Sequence, residues 1–503
     1  LANKVNLTER NKDYSVFLPS ISSFYDRTIS KYRAQGTDFI DADRMPKGFE
    51  NGLDGLDFLR PDAYYNYKWG LYSAGHAQLD TNKALEHDNM VQGRDREKTF
   101  ILGDSGGFQI IKGVIQCDWP NFKNDDSLRQ TILNWLEHTA DYSMILDIPT
   151  MAASDPYKSK TGIKDFGQCL DYTLHNCDWF VKNRKGKTKY LNVLQGRDKW
   201  EADTWIDAVK HLPFEGYAFG GATKYDINIM LHHLLKLRDE KKLDQGVCDV
   251  LHFLGTSKLD WAVALTAVKR ALRETVNPDI EVMFDCASPF IATAMGQAYT
   301  QHIHRNDKFG YVMESAIDDK RLAGSSIPYP WTSPVADRLT MGDICWYKPG
   351  MLNKNGKEGK TSWDSLSYLL LMSHNVYQHI ESVQRANALA DAALLRTDVS
   401  YKHWRKLKAS SKEDQFDAWV PRNILYISKF IEELFKSETP YEMLEEAAPM
   451  LADFNGKKSL ATSTNSFNSL FEVDEPQNDG TGEYTDEESE QAEEFLEALT
   501  YEA

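Results

Sequence analysis

The chain has 503 residues, 42% hydrophobic and 12% aromatic, which is ample for a large buried core and too long for one small domain. Its formal charge of -17 is lopsided: 13 acidic residues and no Lys or Arg fall in 472–503, so residues 1–471 carry only -4, and the bulk acidity does not exclude a nucleic-acid partner for the body. No run reaches the roughly 18 apolar positions of a membrane span, and six cysteines without a C-x-x-C pair do not read as a disulfide framework, so a reduced, intracellular chain with no membrane attachment is expected.

In chain order, Ser15-Val-Phe-Leu-Pro19 and Ala63-Tyr-Tyr-Asn-Tyr67 predict two early strands. Six apolar or β-branched runs follow, each stopped by a polar residue or glycine: Thr99–Asp104, Tyr142–Asp147, Tyr190–Gln195, Gly216–Gly221, Val250–Gly255 and Glu281–Asp285. The stretches between them have helical period, as in Leu128, Ile132, Leu133 and Leu136, or Trp261, Ala264, Leu265, Val268 and Leu272. Successive strand ends are on average about 36 residues apart, the length of one strand, its covering helix and their loops.

A (β/α)8 barrel of the TIM type is therefore the expected fold for residues 1–360. A doubly wound open sheet is the alternative, disfavoured because no G-x-G-x-x-G follows the first strand. From about 361 to 471 the pattern is helical only. Residues 472–503 are acidic and poor in aliphatic side chains, so disorder is expected there apart from a short helix at Ala492–Leu499.

Parallel barrels carry their chemistry at the C-terminal ends of the strands. Here those ends are Asp104, Asp147, Gln195, Gly220-Gly221, Gly255 and Asp285. A single Asp at a strand end is as well explained by helix capping, whereas three in register point to a mouth lined by carboxylates.

The motifs Asp104-Ser-Gly-Gly-Phe-Gln109, Leu146-Asp147, Gln195-Gly196, Gly216-Tyr-Ala-Phe-Gly-Gly221 and Met283-Phe-Asp-Cys286 resemble, in order, those of the tRNA-guanine transglycosylases and their DNA-acting relatives, the 7-deazaguanine DNA transglycosylases (DpdA). The resemblance implies exchange of a guanine for a free 7-deazaguanine base, without an organic cofactor. Exchange with retention at C1′ needs two displacements through a covalent glycosyl-enzyme. Asp285 matches the nucleophile and Asp104 the general acid/base. Asp147 matches the carboxylate that accepts guanine N1–H and the 2-amino group in a fork, with Gln195, the Gly220-Gly221 backbone and Ser105 completing base recognition and Phe108 offering a stacking face.

The departures from the family bear on the substrate. Ala287–Gln297 contains no basic residue where the tRNA enzymes have an arginine-bearing segment, so DNA is the expected partner and tRNA the alternative. A non-catalytic accessory subunit is a further alternative, opposed by the retention of both Asp104 and Asp285. Ala222-Thr-Lys224 replaces an aliphatic tract ending in an acid, which disfavours a cationic 7-substituent and favours a neutral base such as preQ0.

The family's cysteine-rich zinc signature is absent after Asp285. His302, His304, Cys345 and His374 form the expected substitute set for a structural zinc. A homodimer is compatible with the resemblance, and the cytoplasm, of an infected host where the chain is phage-encoded, is the expected compartment.

Two basic runs invite comparison. Lys182–Lys189 precedes a strand and belongs on the far face of a barrel. Lys402-His-Trp-Arg405-Lys406-Leu-Lys408, with Lys412, interleaves an aromatic with charge in the manner of a phosphate-tracking surface. The acidic tail is read first as a solubilising segment, with mimicry of nucleic acid and recruitment of a partner as alternatives.

Overall fold

The computed structural model describes residues 4–77, 89–305, 308–347, 361–394, 420–455, 488–489, 491–492 and 495–496. Eight parallel strands form one sheet: β1 (Val16–Pro19), β2 (Trp69–Ser73), β3 (Phe100–Asp104), β4 (Tyr142–Met144), β5 (Lys189–Leu194), β6 (Gly216–Phe219), β7 (Val250–Phe253) and β8 (Glu281–Cys286). Each of β3 to β7 pairs with both of its sequence neighbours, and β8 also pairs with β1, Asp285 lying opposite Leu18. The two edges, β1 and β2, meet through a single parallel bridge, Ser20 to Leu71, where Ile21 N–H donates to Leu71 O at 2.9 Å. The sheet is thus nearly closed into a barrel, and the open-sheet alternative does not describe it.

From β3 to β8, helices alternate with strands as their periodicity predicts. On the helix Leu259–Thr275, Trp261, Ala264, Leu265, Val268 and Leu272 are all buried. Several helices of the strand-to-strand connections start on an Asp whose carboxylate accepts from the first-turn backbone. Asp165 caps Phe166–Asn183, Asp198 caps Lys199–Val209 and Asp226 caps Ile227–Asp239.

One early strand is displaced from its expected place. Within Ala63–Tyr67 only Tyr65–Asn66 is extended, and it pairs with Val5–Asn6 outside the barrel, while the barrel strand is the next segment, Trp69–Ser73. The tyrosines of the tract are needed elsewhere: Tyr65 Oη donates to Ser373 O at 3.1 Å and Tyr67 Oη to Phe17 O at 2.6 Å.

Beyond β8 come the antiparallel strands Gln297–Arg305 and Lys308–Ser315, then the helices Ser365–Leu394, Arg422–Lys436 and Pro440–Asn455. The first of these helices is buried along much of its length. Asp364 at its start clasps the buried Arg44 with two hydrogen bonds of 2.6 and 2.7 Å, and Asn375 accepts from Tyr299 N–H at 2.9 Å. Lys402–Lys408 and Lys412 lie outside the described residues.

The described part of the acidic segment falls on and just before the short helix expected at Ala492–Leu499. Glu488–Ser489, Gln491–Ala492 and Phe495–Leu496 are helical. Ala492 and Leu496 are buried, and the Phe495 ring meets the Tyr368 ring at 5.2 Å between centroids. The apolar side chains interleaved among the acids supply the docking face.

Candidate active site

The C-terminal ends of the strands surround a cavity of about 410 Å3 whose lining includes Asp104, Asp147, Gln195 and Asp285, a size usual for small-molecule sites. Three expected carboxylates from β3, the end of β4 and β8 therefore face one space.

Asp285 is the most closely held of the three. Its Oδ1 accepts from His252 Nε2–H and from Gly255 N–H, each at 3.0 Å, and its Oδ2 accepts from Ser20 Oγ–H at 2.7 Å. Burial pushes this carboxyl up, but the His252 bond, together with the Gly255 and Ser20 donors, outweighs it and holds Asp285 below the ordinary value of 3.8. It is an ionised carboxylate in a pocket largely withdrawn from water.

Asp147 is driven the other way. Burial raises its carboxyl to about 7, the Gln195 hydrogen bond opposing and the Asp104 charge reinforcing the rise. Gln195 Nε2 donates to Asp147 Oδ2 at 2.8 Å, so the carboxamide lines the cavity and orients the Asp147 carboxyl. Asp104 Oδ2 accepts from Ser73 Oγ–H at 2.6 Å.

The glycines of Asp104-Ser-Gly-Gly-Phe-Gln109 have separate reasons. Gly106 adopts φ +79, a left-handed conformation that starts the helix Gly107–Lys112, and a Cβ on Gly107 would press into the Asp147 carbonyl oxygen. The motif thereby brings the end of β3 against the end of β4. Ser105 is buried and donates to Ile145 O at 3.1 Å, a strut between the same two strands that does not line the cavity.

Gly220 and Gly221 are likewise absent from the described lining. Gly221, at φ +55, lies where a Cβ would strike the Gly196 backbone, and the next residue, Ala222, donates its N–H to Gly196 O at 2.7 Å. The paired Gln-Gly and Gly-Gly motifs lock the β5 and β6 loops together. Phe108 does line the cavity; its ring is also held edge-on to Tyr157, 6.0 Å between centroids. Lys224 lines the cavity as well, with its ammonium beside Gly255.

Sequence reasoning missed Ser20, Ser73 and His252. Ser20 directly follows Pro19 and Ser73 ends β2, so the rule that strand ends carry chemistry finds both once the strands are correctly bounded. The signal for His252 is one polar residue inside the apolar run Val250–Gly255.

Of the four residues expected to hold zinc, His302 and His304 have side chains outside the described residues. Cys345 is buried, its Sγ 3.3 Å from Ile317 O. His374 is buried with both ring nitrogens engaged: Nε2–H donates to Tyr299 O at 2.8 Å and Nδ1 accepts from Ser333 Oγ–H at 2.9 Å. A metal would need the lone pair that Ser333 takes, so His374 does not fit a metal centre in this arrangement. Among the described residues no group of three or more His, Cys, Asp or Glu is placed to hold an ion.

The basic run Lys182–Lys189 ends at the first residue of β5, on the side of the barrel opposite the cavity. Two of its members are paired, Arg184 with Glu215 at 2.9 Å and Lys189 with Asp249 at 2.5 Å. No helix among the described residues is long and apolar enough to cross a membrane. The chain matches no protein-family model, and no curated protein matches it.

Proposed function

We propose that the chain is a (β/α)8-barrel transglycosylase that exchanges guanine in DNA for a free 7-deazaguanine base. The observation that carries this reading is the pairing of an ionised, three-times hydrogen-bonded Asp285 with Asp104 and the proton-retaining Asp147 in one cavity. Three carboxyl groups at neighbouring strand ends of one cavity, with one held ionised and one raised, are what separate nucleophile, proton-carrier and base-receiving roles require.

In the first displacement an Asp285 oxygen bonds to C1′ as the C1′–N9 bond breaks, and the departing guanine takes its proton through Asp104. In the second, N9 of the incoming base bonds to C1′, the Asp285–C1′ ester bond breaks, and the N9 proton passes to Asp104. Two inversions restore the original configuration, and no electron is gained or lost. The His252, Gly255 and Ser20 donors ease the second step by stabilising the carboxylate that is released. Asp147 receives the base edge. Lys224 opposes a cationic 7-substituent by like charge, which favours a neutral base such as preQ0.

Incubation with labelled guanine or preQ0 and either duplex DNA or tRNA tests the reading. Label should enter DNA. The wild type should leave a protein–DNA adduct on a denaturing gel, and Asp285→Asn should leave none while keeping the fold. Label confined to one guanine of tRNA would replace DNA by tRNA, and full exchange by Asp285→Asn would remove the nucleophile assignment.

A further inference from the structure

A base can reach Asp285 only when its flanking backbone lies across the rim of the cavity, and one side of that rim is basic. Lys158, Lys160 and Lys164 fall on the short helix Lys158–Thr161 and the turn after it, in the connection that follows β4, and all three are exposed. None makes an ion pair with a described residue. Lys160 Nζ donates to Lys112 O at 3.1 Å, and Lys112 Nζ stands 4.2 Å from the centroid of the Phe108 ring, which lines the cavity. The lysines therefore continue the cavity wall outward.

The nearby acids are largely committed: Asp165 and Asp198 cap helices and Glu201 holds Arg197, leaving the exposed Asp155. Arg197 Nη1 also donates to Ser154 Oγ at 3.2 Å, tying the lysine segment to the start of the helix Lys199–Val209. There Trp200 is 68% exposed, its ring 5.8 Å from that of Phe166. An indole this far into water is an anomaly for packing and a suitable platform for an unstacked base.

We propose that Lys112, Lys158, Lys160 and Lys164, with the open face of Trp200, form the track for the DNA backbone flanking the extruded guanine. This rests on the nucleic-acid reading above and adds the path to it. Each lysine neutralising a phosphate releases condensed counterions, so each contributes about 0.9 to the slope of log affinity against log salt.

The test measures binding of the full chain to a short labelled duplex at several salt concentrations. A Lys158→Ala/Lys160→Ala/Lys164→Ala variant should lose at least about tenfold in affinity, and its salt slope should fall by roughly 2 to 3, with thermal stability and guanine binding unchanged. The control Lys182→Ala/Lys185→Ala/Lys187→Ala, on the opposite side of the barrel, should bind as the wild type does. Trp200→Ala should weaken binding to a duplex with an unpaired base beside the target guanine more than to a fully paired one. If the wild type binds and the first variant matches it in affinity and slope, or the control loses as much, the track is wrong and the function reading stands. If the wild type binds no DNA, both fall.

Discussion

His252 Nε2 lies 3.0 Å from Asp285 Oδ1, and the other ring nitrogen, Nδ1, is buried without a hydrogen-bond partner among the described residues. One half of the imidazole is thus spent on Asp285 and the other half is left unsatisfied, an arrangement that packing alone would not favour. The donor is what the position requires.

Replacing His252 by Phe should remove that donor, worth about 1.5–3 kcal/mol to a charged acceptor, and slow the breakdown of the covalent adduct by roughly ten- to a hundredfold, with its formation not slowed. His252→Gln, which keeps an N–H near the same place and discards the orphaned nitrogen, should recover most of the rate. Rapid-quench measurement of both steps in the three proteins checks this. Equal loss in Phe and Gln variants would make His252 a packing residue.

Asp147 sets a pH dependence of definite sign. Its folded carboxyl, raised from 3.8 to about 7, holds a proton that the unfolded chain gives up, so it costs stability progressively as pH rises between those values and no further above them. Asp147→Asn should therefore gain thermal stability relative to wild type as pH climbs from about 4 to 7, with the difference level beyond. Guanine binding should respond oppositely. Where the carboxylate form receives the base, affinity for free guanine in the wild type should rise with pH up to about 7 and flatten, and calorimetric titration across that range reads it out.

Much of this was legible before any coordinates. The strand ends Asp104, Asp147 and Asp285 are visible because an apolar run that stops at an acid marks both the end of burial and the start of a loop. The bonds of Ser20, Ser73 and Gln195 to the three carboxyls are not visible, because they depend on which strand lies beside which and in what register, and a period-two pattern leaves register open. Ala63–Tyr67 misled for a related reason: aromatic residues favour strands, but the tyrosine hydroxyls of this tract serve Ser373 and Phe17 outside any ladder. The docking of Ala492, Phe495 and Leu496 is not legible from composition, because the acids around them dilute the apolar signal.

His374 offers a test between packing and metal binding. Burial lowers its imidazole to about 4, so it is neutral at pH 7 and bridges Ser333 to Tyr299. His374→Ala should lower the thermal midpoint by stranding the Tyr299 carbonyl, at a cost of about 1–3 kcal/mol. The wild type should keep its midpoint in a strong chelator. A chelator that reproduces the loss, with metal released in proportion to protein, would assign His374 to a zinc site after all.

Ser489 of the acidic segment lines the same cavity as Asp285. A chain ending at Leu470 sheds that segment and brings the formal charge from -17 to -4. It should bind duplex DNA severalfold more tightly at low salt, the gain fading as salt screens the lost repulsion. Unchanged affinity at all salt concentrations would leave the tail without a role at the mouth.

The joint between β1 and β2 lies between Asp285 and Asp104. Ser20, just past one of its strands, holds Asp285, and Ser73, on the other, holds Asp104, while the strands themselves share one bridge. The spacing of Asp285 and Asp104 is therefore governed by the least-stitched line of the barrel, as the gap of a caliper is governed by its pivot. A nucleotide that engages both carboxylates is a staple across that line. Its binding should slow amide exchange at Ile21, whose N–H crosses the joint to Leu71, while amides between β5 and β6 keep their rates.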